Sequence, residues 1–346
     1  MSKIAIVSPS GNLYGSEQVL LDFLKSTTNK YDLYLPSGLL FEEATALGRH
    51  MVLQFGSVKL LYVSLIWGLL FSKYDGVYVN EAGHSRYINV LSRLFPSKKF
   101  YIHIRLLEDT KRERLGGKRE NVKYISVSDY ISEETQDNCS IDCITVRDLY
   151  IPTSGVKGIR NIESDETINV GIVGRVTDTK GIDDILRFCD YVEANSSRSR
   201  FVFHFFGEVN QHSAVVKEFL DRVKGYKYTK CIFHGFVKKK IEIYGGVDLL
   251  LHFNQYEPLG RIFFESLDYG LPFIGFNRGG IGEIARCLDL SDLMVDPANP
   301  NWAELMCRGV VVVSQNTLKG RYEDAKNRIE RYFSSQVYTK NIEDLF

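Results

Sequence analysis

The sequence lacks the short motifs that mark several common enzyme classes. Its 346 residues contain no G-x-G-x-x-G after a predicted strand, no G-x-x-x-x-G-K-[ST] phosphate loop and no G-x-S-x-G nucleophile elbow. Dinucleotide oxidoreductases and P-loop kinases depend on the first two of these motifs. The sequence therefore offers little support for either class.

Net charge and clustered cysteines are also absent. The 43 basic and 43 acidic side chains cancel, so no global field predicts binding to nucleic acid or to a strongly anionic membrane. The six cysteines form no C-x-x-C pair of the kind that metal and redox sites use. Residues 3–8 resemble a buried strand and not a signal peptide, so we expect a reduced, cytoplasmic protein.

Long hydrophobic runs are missing too. The longest, residues 58–71, contains Lys59 and Gly68 and is too short to cross a bilayer in the usual way. It predicts an amphipathic core helix on the first sheet, and the alternative is a membrane-surface helix, which Trp67 would suit. A cluster of basic residues is most simply interpreted as a solvated loop. The alternative is that it contacts anionic lipid or a pyrophosphate-linked acceptor. Its members are Lys111, Arg112, Arg114, Lys118 and Arg119.

Short apolar, β-branched runs alternate with longer mixed segments, which is typical of an α/β fold with mostly parallel sheets. The length predicts two domains of about 150 residues each. Strands are predicted at residues 3–8, 31–35, 76–79, 99–104, 123–127, 169–173, 200–206, 231–234, 248–253 and 272–276. Helices are predicted at residues 16–26, 85–94, 321–333 and 337–346, and a polar linker at residues 152–169.

The most informative segment joins two acids to a glycine-rich bend. Glu257 and Glu265 bracket Pro-Leu-Gly and an apolar half-turn, and Gly270-Leu271-Pro272 and Gly279-Gly280-Ile281-Gly282-Glu283 follow. Such a bend can open a helix whose free N–H groups face an anion or a sugar hydroxyl. The ordered string resembles the E-x7-E signature of retaining nucleotide-sugar glycosyltransferases of the GT-B architecture, most closely those of glycosyltransferase family 4.

This resemblance implies two facing Rossmann-like domains with parallel sheets and a C-terminal helix that crosses back to the N-terminal domain. The domains are expected at residues 1–155, with a returning helix at 334–346, and at residues 165–333. The resemblance implies that Glu265 accepts the ribose hydroxyls and Glu257 the hydroxyls of the donor sugar. Backbone N–H groups of Gly260, Arg261 and Ile262 would face the sugar and the phosphate.

Two cations follow the first strand of the second half. Residues 174–181 resemble the Gly-Arg-x4-Lys-Gly element of the same family, in which Arg175 and Lys180 would converge on the donor diphosphate. Fixed cations stabilise a leaving group that gains negative charge, and a helix start after Lys180 would add to that field. The alternative is an unremarkable pair of surface cations.

Residues 8–17 follow the first predicted strand. In parallel sheets, ligands bind beyond the carboxyl ends of the strands, which is where this segment would lie. Gly15 would bring backbone N–H groups close to a phosphate or a sugar, and Ser16 is predicted to cap the next helix. Family members commonly have a second glycine where this chain has Tyr14. A plain strand-to-helix turn is the alternative.

His103, at the end of another predicted strand, resembles the family histidine that lies beside the transferred sugar. It would bond a sugar or acceptor hydroxyl, with Arg105 assisting, and its alternative is a core histidine satisfied by backbone carbonyls. Asn80, Glu81 and His84 at the neighbouring strand end are further candidates.

We therefore predict a retaining hexosyltransferase with a UDP- or GDP-linked donor and no other cofactor. The sequence has no Asp-x-Asp pair to hold a metal on the diphosphate, so Arg175 and Lys180 would replace the metal. The acceptor would be a glycan or lipid-linked saccharide of cell-surface polysaccharide or lipopolysaccharide biosynthesis, reached in the cytoplasm or at the inner membrane face. The alternatives are a non-catalytic sugar-nucleotide-binding protein and a phosphorylase or hydrolase on the same fold.

Overall fold

The computed structural model describes residues 3–71, 73–152, 167–195, 201–313 and 318–346. Most of the predicted linker lies outside these residues. Arg200, the first residue of one predicted strand, lies outside them as well.

Thirteen strands form within the described residues. In chain order, β1 to β13 span Ile4–Val7, Asp32–Pro36, Met51–Phe55, Gly76–Val79, Lys99–Ile104, Val122–Ser126, Cys143–Thr145, Ile168–Val173, Phe201–Phe206, Thr229–Gly235, Leu249–His252, Phe273–Phe276 and Met294–Val295. All strand pairs between them are parallel.

Fourteen α-helices accompany the strands in the same part of the chain. In order, α1 to α14 span Gly15–Ser26, Leu39–Ala46, Val58–Leu70, Ser85–Leu94, Arg112–Leu115, Asp129–Cys139, Ile182–Asn195, Ala214–Lys224, Lys240–Tyr244, Arg261–Asp268, Gly279–Leu288, Trp302–Val313, Leu318–Phe333 and Ser335–Glu343. None of these helices has the length and the apolar character needed to cross a membrane.

The chain divides into two compact units. The first comprises Met1–Ile151 and Arg331–Phe346, and the second comprises Pro152–Glu330. In the first unit the strand order is β3-β2-β1-β4-β5-β6-β7, and in the second it is β10-β9-β8-β11-β12-β13. In each sheet the direction of winding reverses beside its first strand, between β1 and β4 and between β8 and β11.

The last helix belongs to the first unit. Tyr338 and Ile342 of α14 are buried in the same hydrophobic cluster as Val19 and Phe23 of α1. Phe346 lies edge-on against Tyr101 of β5, with ring centroids 5.1 Å apart. The C-terminus therefore closes the core of the unit that the N-terminus begins.

Central strands form where the sequence predicts them because their residues are buried on both faces. The predicted strands at 76–79 and 99–104 coincide with β4 and β5, and the helix predicted at 85–94 coincides with α4. The pattern missed β3, β7 and β13. β3 is an edge strand with exposed and half-buried positions, and β13 has two residues.

The apolar run at 58–71 forms α3, which packs on the first sheet through Leu61, Leu65 and Leu69. Its outward face is not polar, however. Trp67 is 57% exposed and Leu60 is 61% exposed. The predicted core helix is confirmed, but its predicted amphipathic pattern is wrong.

Candidate functional site

The candidate site of the second unit lies at the carboxyl ends of β8 and β11. These strands are neighbours, with Leu249 paired to Val170, and the order of the sheet reverses between them. Loops that leave neighbouring parallel strands at such a point diverge and leave room for a ligand. The loop after β8 carries Lys180, and the loop after β11 carries Glu257.

Glycine brings Lys180 against the second loop. Lys180 ends a 3₁₀ turn, Asp178–Lys180, and Gly181 follows with φ +74°. A side chain at Gly181 would collide with the carbonyl of Phe253, the residue after β11. The position therefore needs glycine both for its left-handed backbone and for the close approach of the two loops.

Glu257 is fixed through one of its two oxygens. Its Oε2 accepts a hydrogen bond from Lys180 Nζ at 2.8 Å and another from Asn254 Nδ2 at 2.7 Å. Burial alone would raise the pKa of Glu257, but Lys180, then His252 and Asn254, outweigh it and hold the pKa below its ordinary value. The carboxylate is therefore charged at neutral pH, and its Oε1 accepts no hydrogen bond from the described residues.

Lys180 also keeps binding capacity. An ammonium group has three N–H donors, and the contact with Glu257 uses one of them. The side chain is about one third exposed, so the remaining donors can reach a ligand oxygen.

His252, the last residue of β11, lies next to Glu257. Its Nε2 is 4.0 Å from Glu257 Oε2, and its buried Nδ1 has no hydrogen-bond partner among the described residues. Burial lowers its pKa to about 4, with Glu257 acting in the opposite direction and Lys180 adding to the decrease. The imidazole is therefore neutral in the folded protein at neutral pH.

This depressed pKa predicts acid sensitivity. The ordinary pKa is 6.5, so the unfolded chain takes up a proton at higher pH than the folded one. The contribution of neutral His252 to the free energy of unfolding is complete above pH 6.5 and is lost as the pH falls towards 4. We expect the free energy of unfolding to fall by about 2 kcal/mol more in the wild type than in His252→Phe between about pH 7.5 and about pH 5.

Urea unfolding at a series of pH values measures this difference. His212→Phe is the matched control, because His212 is exposed in the same unit. Parallel pH curves for the wild type and His252→Phe would contradict the assignment.

Two helix starts meet at the Pro-Leu-Gly turn. Gly260 precedes α10 with φ +93°, and a side chain there would collide with Ile281 of α11. The Gly280 N–H, in the first turn of α11, donates to the Glu257 carbonyl at 2.8 Å. A side chain on Gly280 would overlap the backbone of Pro258 and Leu259. The spaced glycines of the string are thus explained by contact between α11 and the loop that carries Glu257.

Glu265 lies one helix further along the same string, in the middle of α10. The Tyr244 hydroxyl donates to its Oε2, and Lys240 Nζ is 3.0 Å from its Oε1. Tyr244 packs against Tyr269, with ring centroids 4.8 Å apart. Sequence reasoning missed Lys240 and Tyr244, because both lie more than 20 positions from Glu265 and carry no motif of their own.

The other predicted residues of this unit occupy the same two loops. Arg175 is exposed on the loop after β8 and forms no ion pair with the described residues. Arg261 and Ile262 are the first two residues of α10. Their roles stay predictions.

Metal independence also stays a prediction. Within the residues that the structure describes, no group of three or more His, Cys, Asp and Glu side chains is arranged to hold a metal ion.

In the first unit, His103 is fully buried inside β5. The Tyr78 hydroxyl lies 2.8 Å from its Nδ1, and Arg105 Nη2 lies 3.2 Å from the same atom. Burial, with the Arg105 charge adding to it, holds the pKa of His103 well below its ordinary value. This placement favours the alternative of a core histidine, although the partners of its Nδ1 are side chains. The catalytic role stays untested.

Arg105 is buried beside His103. Its Nη1 donates to Asp148, its Nε donates to the Asn80 carbonyl at 2.9 Å, and its Nη2 donates to the Tyr338 hydroxyl at 3.0 Å. Arg105 therefore ties β5 to the end of β4 and to α14.

Gly15 is the first residue of α1, so Tyr14 and not Ser16 occupies the N-cap position. The predicted Ser16 cap is wrong, because the helix begins one residue earlier than predicted. The Ser16 hydroxyl instead donates to Glu81. Tyr14 is 69% exposed.

The chain resembles known proteins both in sequence, through a family model, and in fold, through solved structures. The family model described as glycosyl transferases group 1 matches residues 159–305. No curated protein sequence matches the chain.

Solved structures match over nearly the whole chain. Anabaena HepE, in complex with UDP and glucose, has 16% identity and a TM-score of 0.72 over 100% of this chain and 99% of that chain. The lipopolysaccharide outer core galactosyltransferase WaaB has 14% identity and a TM-score of 0.70 over 99% and 98%. Sucrose-phosphate synthase from Thermosynechococcus elongatus has 14% identity and a TM-score of 0.68 over 100% and 98%.

The fold is GT-B. The two parallel-sheet units are the two Rossmann-like domains of that architecture. The family match covers most of the domain that carries Lys180, Glu257 and Glu265. Together, the match and the fold support a GT-B glycosyltransferase.

Proposed function

We propose that this protein is a retaining, metal-independent glycosyltransferase that moves a hexose from a UDP- or GDP-linked donor to a glycan or lipid-linked saccharide. It would act in the cytoplasm, in the synthesis of a cell-surface polysaccharide or lipopolysaccharide. The observation that carries the proposal is the pairing of Lys180 with Glu257 at the point where the sheet of the second unit reverses. A cation for a diphosphate and a charged acceptor for hydroxyls are thereby held side by side.

The two acids suit different parts of a long donor. Glu257 has one oxygen fixed by Lys180 and Asn254, and its other oxygen is available to sugar hydroxyls. Glu265 follows on α10, held by Tyr244 and Lys240, and we assign it the ribose hydroxyls. Because the glucose and UDP of Anabaena HepE lie on a closely similar fold, a UDP-hexose is the first donor to test.

The chemistry needs no covalent nucleophile on the protein. As the donor C–O bond breaks, negative charge develops on the diphosphate, and Lys180 with Arg175 and the α10 N-terminus would stabilise it. The acceptor oxygen would bond to the anomeric carbon on the face that the diphosphate leaves, and a diphosphate oxygen would take the proton of the acceptor hydroxyl. That geometry retains the anomeric configuration.

A calorimetric comparison of UDP with UDP-glucose tests these roles. Glu265→Gln should weaken binding of both ligands about tenfold, because the ribose is common to them and a charged hydrogen-bond acceptor is lost. Glu257→Gln should weaken UDP-glucose and leave UDP nearly unchanged. GDP and GDP-mannose are titrated in parallel, since the base is not specified by these acids.

Glu218→Gln, on the exposed surface of α8, is the matched control and should bind as the wild type does. Equal losses for UDP and UDP-glucose in Glu257→Gln would contradict the assignment of Glu257 to the sugar. Unchanged affinity in Glu265→Gln would contradict the ribose assignment.

A further inference from the structure

The outward face of α3 is apolar along its whole length. Leu60, Val63, Trp67 and Leu70 recur at intervals of three and four, so they form one stripe on the helix. The stripe lies opposite the buried face formed by Leu61, Leu65 and Leu69. It therefore points away from the sheet, into solvent.

Phe71 extends the stripe beyond the end of the helix. It is 75% exposed, and its ring stacks on Trp67 with centroids 5.6 Å apart. Single exposed apolar residues are common on soluble proteins, but a contiguous set of this kind marks an interaction site.

The neighbouring helix continues this surface. Tyr62 of α3 stacks on Tyr87 of α4 at 4.4 Å between ring centroids, so the two helices are adjacent. On α4, Tyr87, Val90 and Leu94 are exposed and recur at intervals of three and four. The α3–α4 surface is defined by these three residues together with Leu60, Val63, Trp67, Leu70 and Phe71.

The charged side chains on α3, α4 and their flanking residues have one sign. Residues 56–72 and 82–99 contain no Asp or Glu, whereas they contain five Lys and Arg residues. Of these, Lys59, Arg86 and Arg93 are exposed and form no ion pair with the described residues. Since Arg86 and Arg93 are seven positions apart, they share one flank of α4.

A second basic segment packs along that flank. Ser85 Oγ donates to the Arg114 carbonyl at 2.6 Å, and Asn89 Nδ2 donates to the Leu115 carbonyl at 2.8 Å. Lys111 and Arg112 of this segment are exposed, as is the acid that follows them, Glu113. The apolar face is thus bordered by cations from two elements of the first unit.

We infer that the α3–α4 surface binds the anionic phospholipid surface of a bilayer. Exposed Trp, Phe and Leu side chains can enter the boundary between headgroups and acyl chains, while the bordering cations are attracted to anionic headgroups. A second copy of this chain is a poorer occupant, because pairing this face with itself would bring the cations of α3 and α4 together, and neither helix carries an acid to neutralise them. The inference does not rest on sugar transfer.

Vesicle co-sedimentation tests the lipid surface. The full chain should bind vesicles of phosphatidylcholine with phosphatidylglycerol and bind vesicles of phosphatidylcholine alone weakly. Trp67→Ser with Phe71→Ser should weaken binding about tenfold or more, and Arg86→Glu with Arg93→Glu should do the same. These side chains are exposed, so folding should be retained, which circular dichroism checks.

Matched controls lie in the second unit. Phe236 is 73% exposed, so Phe236→Ser removes an equally exposed aromatic ring, and Lys217→Glu with Lys230→Glu reverses two exposed charges. Both control proteins should bind as the wild type does. No binding to anionic vesicles, or equal losses in the control and test variants, would overturn the inference.

Fluorescence gives a second readout, because the chain contains only two tryptophans. Trp302→Phe leaves Trp67 as the sole reporter, and its emission should shift to shorter wavelength on addition of anionic vesicles. An unshifted spectrum would overturn the inference. So would a concentration-dependent dimer that Trp67→Ser with Phe71→Ser abolishes while vesicle binding is absent, since a second copy would then occupy the face.

Discussion

Replacement of Lys180 by alanine is expected to lower the turnover of sugar transfer by about 10²- to 10³-fold. Lys180 lies 2.8 Å from Glu257 and is the cation that the structure fixes beside the proposed donor hydroxyls. Its loss removes charge that would stabilise the leaving diphosphate and leaves Glu257 to repel that group. Release of nucleoside diphosphate from the preferred donor measures the effect.

The matched variants are Lys180→Arg and Lys217→Ala. Arginine keeps the charge but changes its shape, so we expect partial activity. Lys217 is exposed on α8 of the same unit, and its removal should leave turnover unchanged. Turnover in Lys180→Ala close to that of the wild type would contradict the proposed stabilisation of the leaving group.

Asp148→Ala is expected to destabilise the first unit by about 3 to 5 kcal/mol. Arg105 and Asp148 form a buried ion pair, with 4% and 8% of their side chains exposed. Without Asp148, the Arg105 charge would remain buried beside Asn80 and Tyr338. Hydrogen exchange measured by mass spectrometry on residues 76–104 reports this unit separately from the other.

Two comparisons make the result specific. Arg105→Met with Asp148→Ala should recover part of the loss, because no charge is then buried without a partner. Asp142→Ala breaks an exposed pair with Lys118 in the same unit and should leave protection nearly unchanged. Equal hydrogen-exchange protection in Asp148→Ala and Asp142→Ala would contradict the claim that the buried ion pair contributes more to the stability of the unit than the exposed one.

The fold was predictable where burial and periodicity coincide. β4 and β5 match their predicted residues because both are buried along nearly their whole length, so the apolar run and the strand have the same ends. β3 has the sequence MVLQF, and an apolar run as short as this does not by itself distinguish a strand from a helix segment. Hydrophobicity also does not show which apolar residues stay in solvent, so the predicted amphipathic pattern of α3 differs from its exposed apolar face.

Only the part of the candidate site that lies in one continuous segment, residues 257–283, could be predicted from local spacing. Glu257, Gly260 and Glu265 could be placed because their spacing follows a turn and a helix start. Lys180 was predicted at the same site from a separate motif, but its contact with Glu257 was not, and Tyr244 was not predicted at all. Tyr244 precedes Glu265 by 21 positions, and Lys180 precedes Glu257 by 77, so only the folded sheet brings each pair together.

His103 shows the opposite limit. Its position near a strand end indicates an exposed ligand contact, but β5 continues past it to Ile104 and encloses it. Whether a strand-end side chain faces solvent or the core depends on neighbouring side chains. Here those neighbours are Tyr78, on β4, and Arg105, the residue that follows β5.

Calorimetric titration of nucleotide sugars is the most direct test of the central claim that the second unit binds a nucleotide-activated hexose. UDP, GDP and their hexose derivatives are titrated into the wild type and into Lys180→Ala with Glu265→Gln. The account predicts that at least one UDP- or GDP-hexose binds the wild type with one site per chain and that the double variant loses this binding. A wild type that binds none of them, or a double variant that binds as tightly as the wild type, would contradict it.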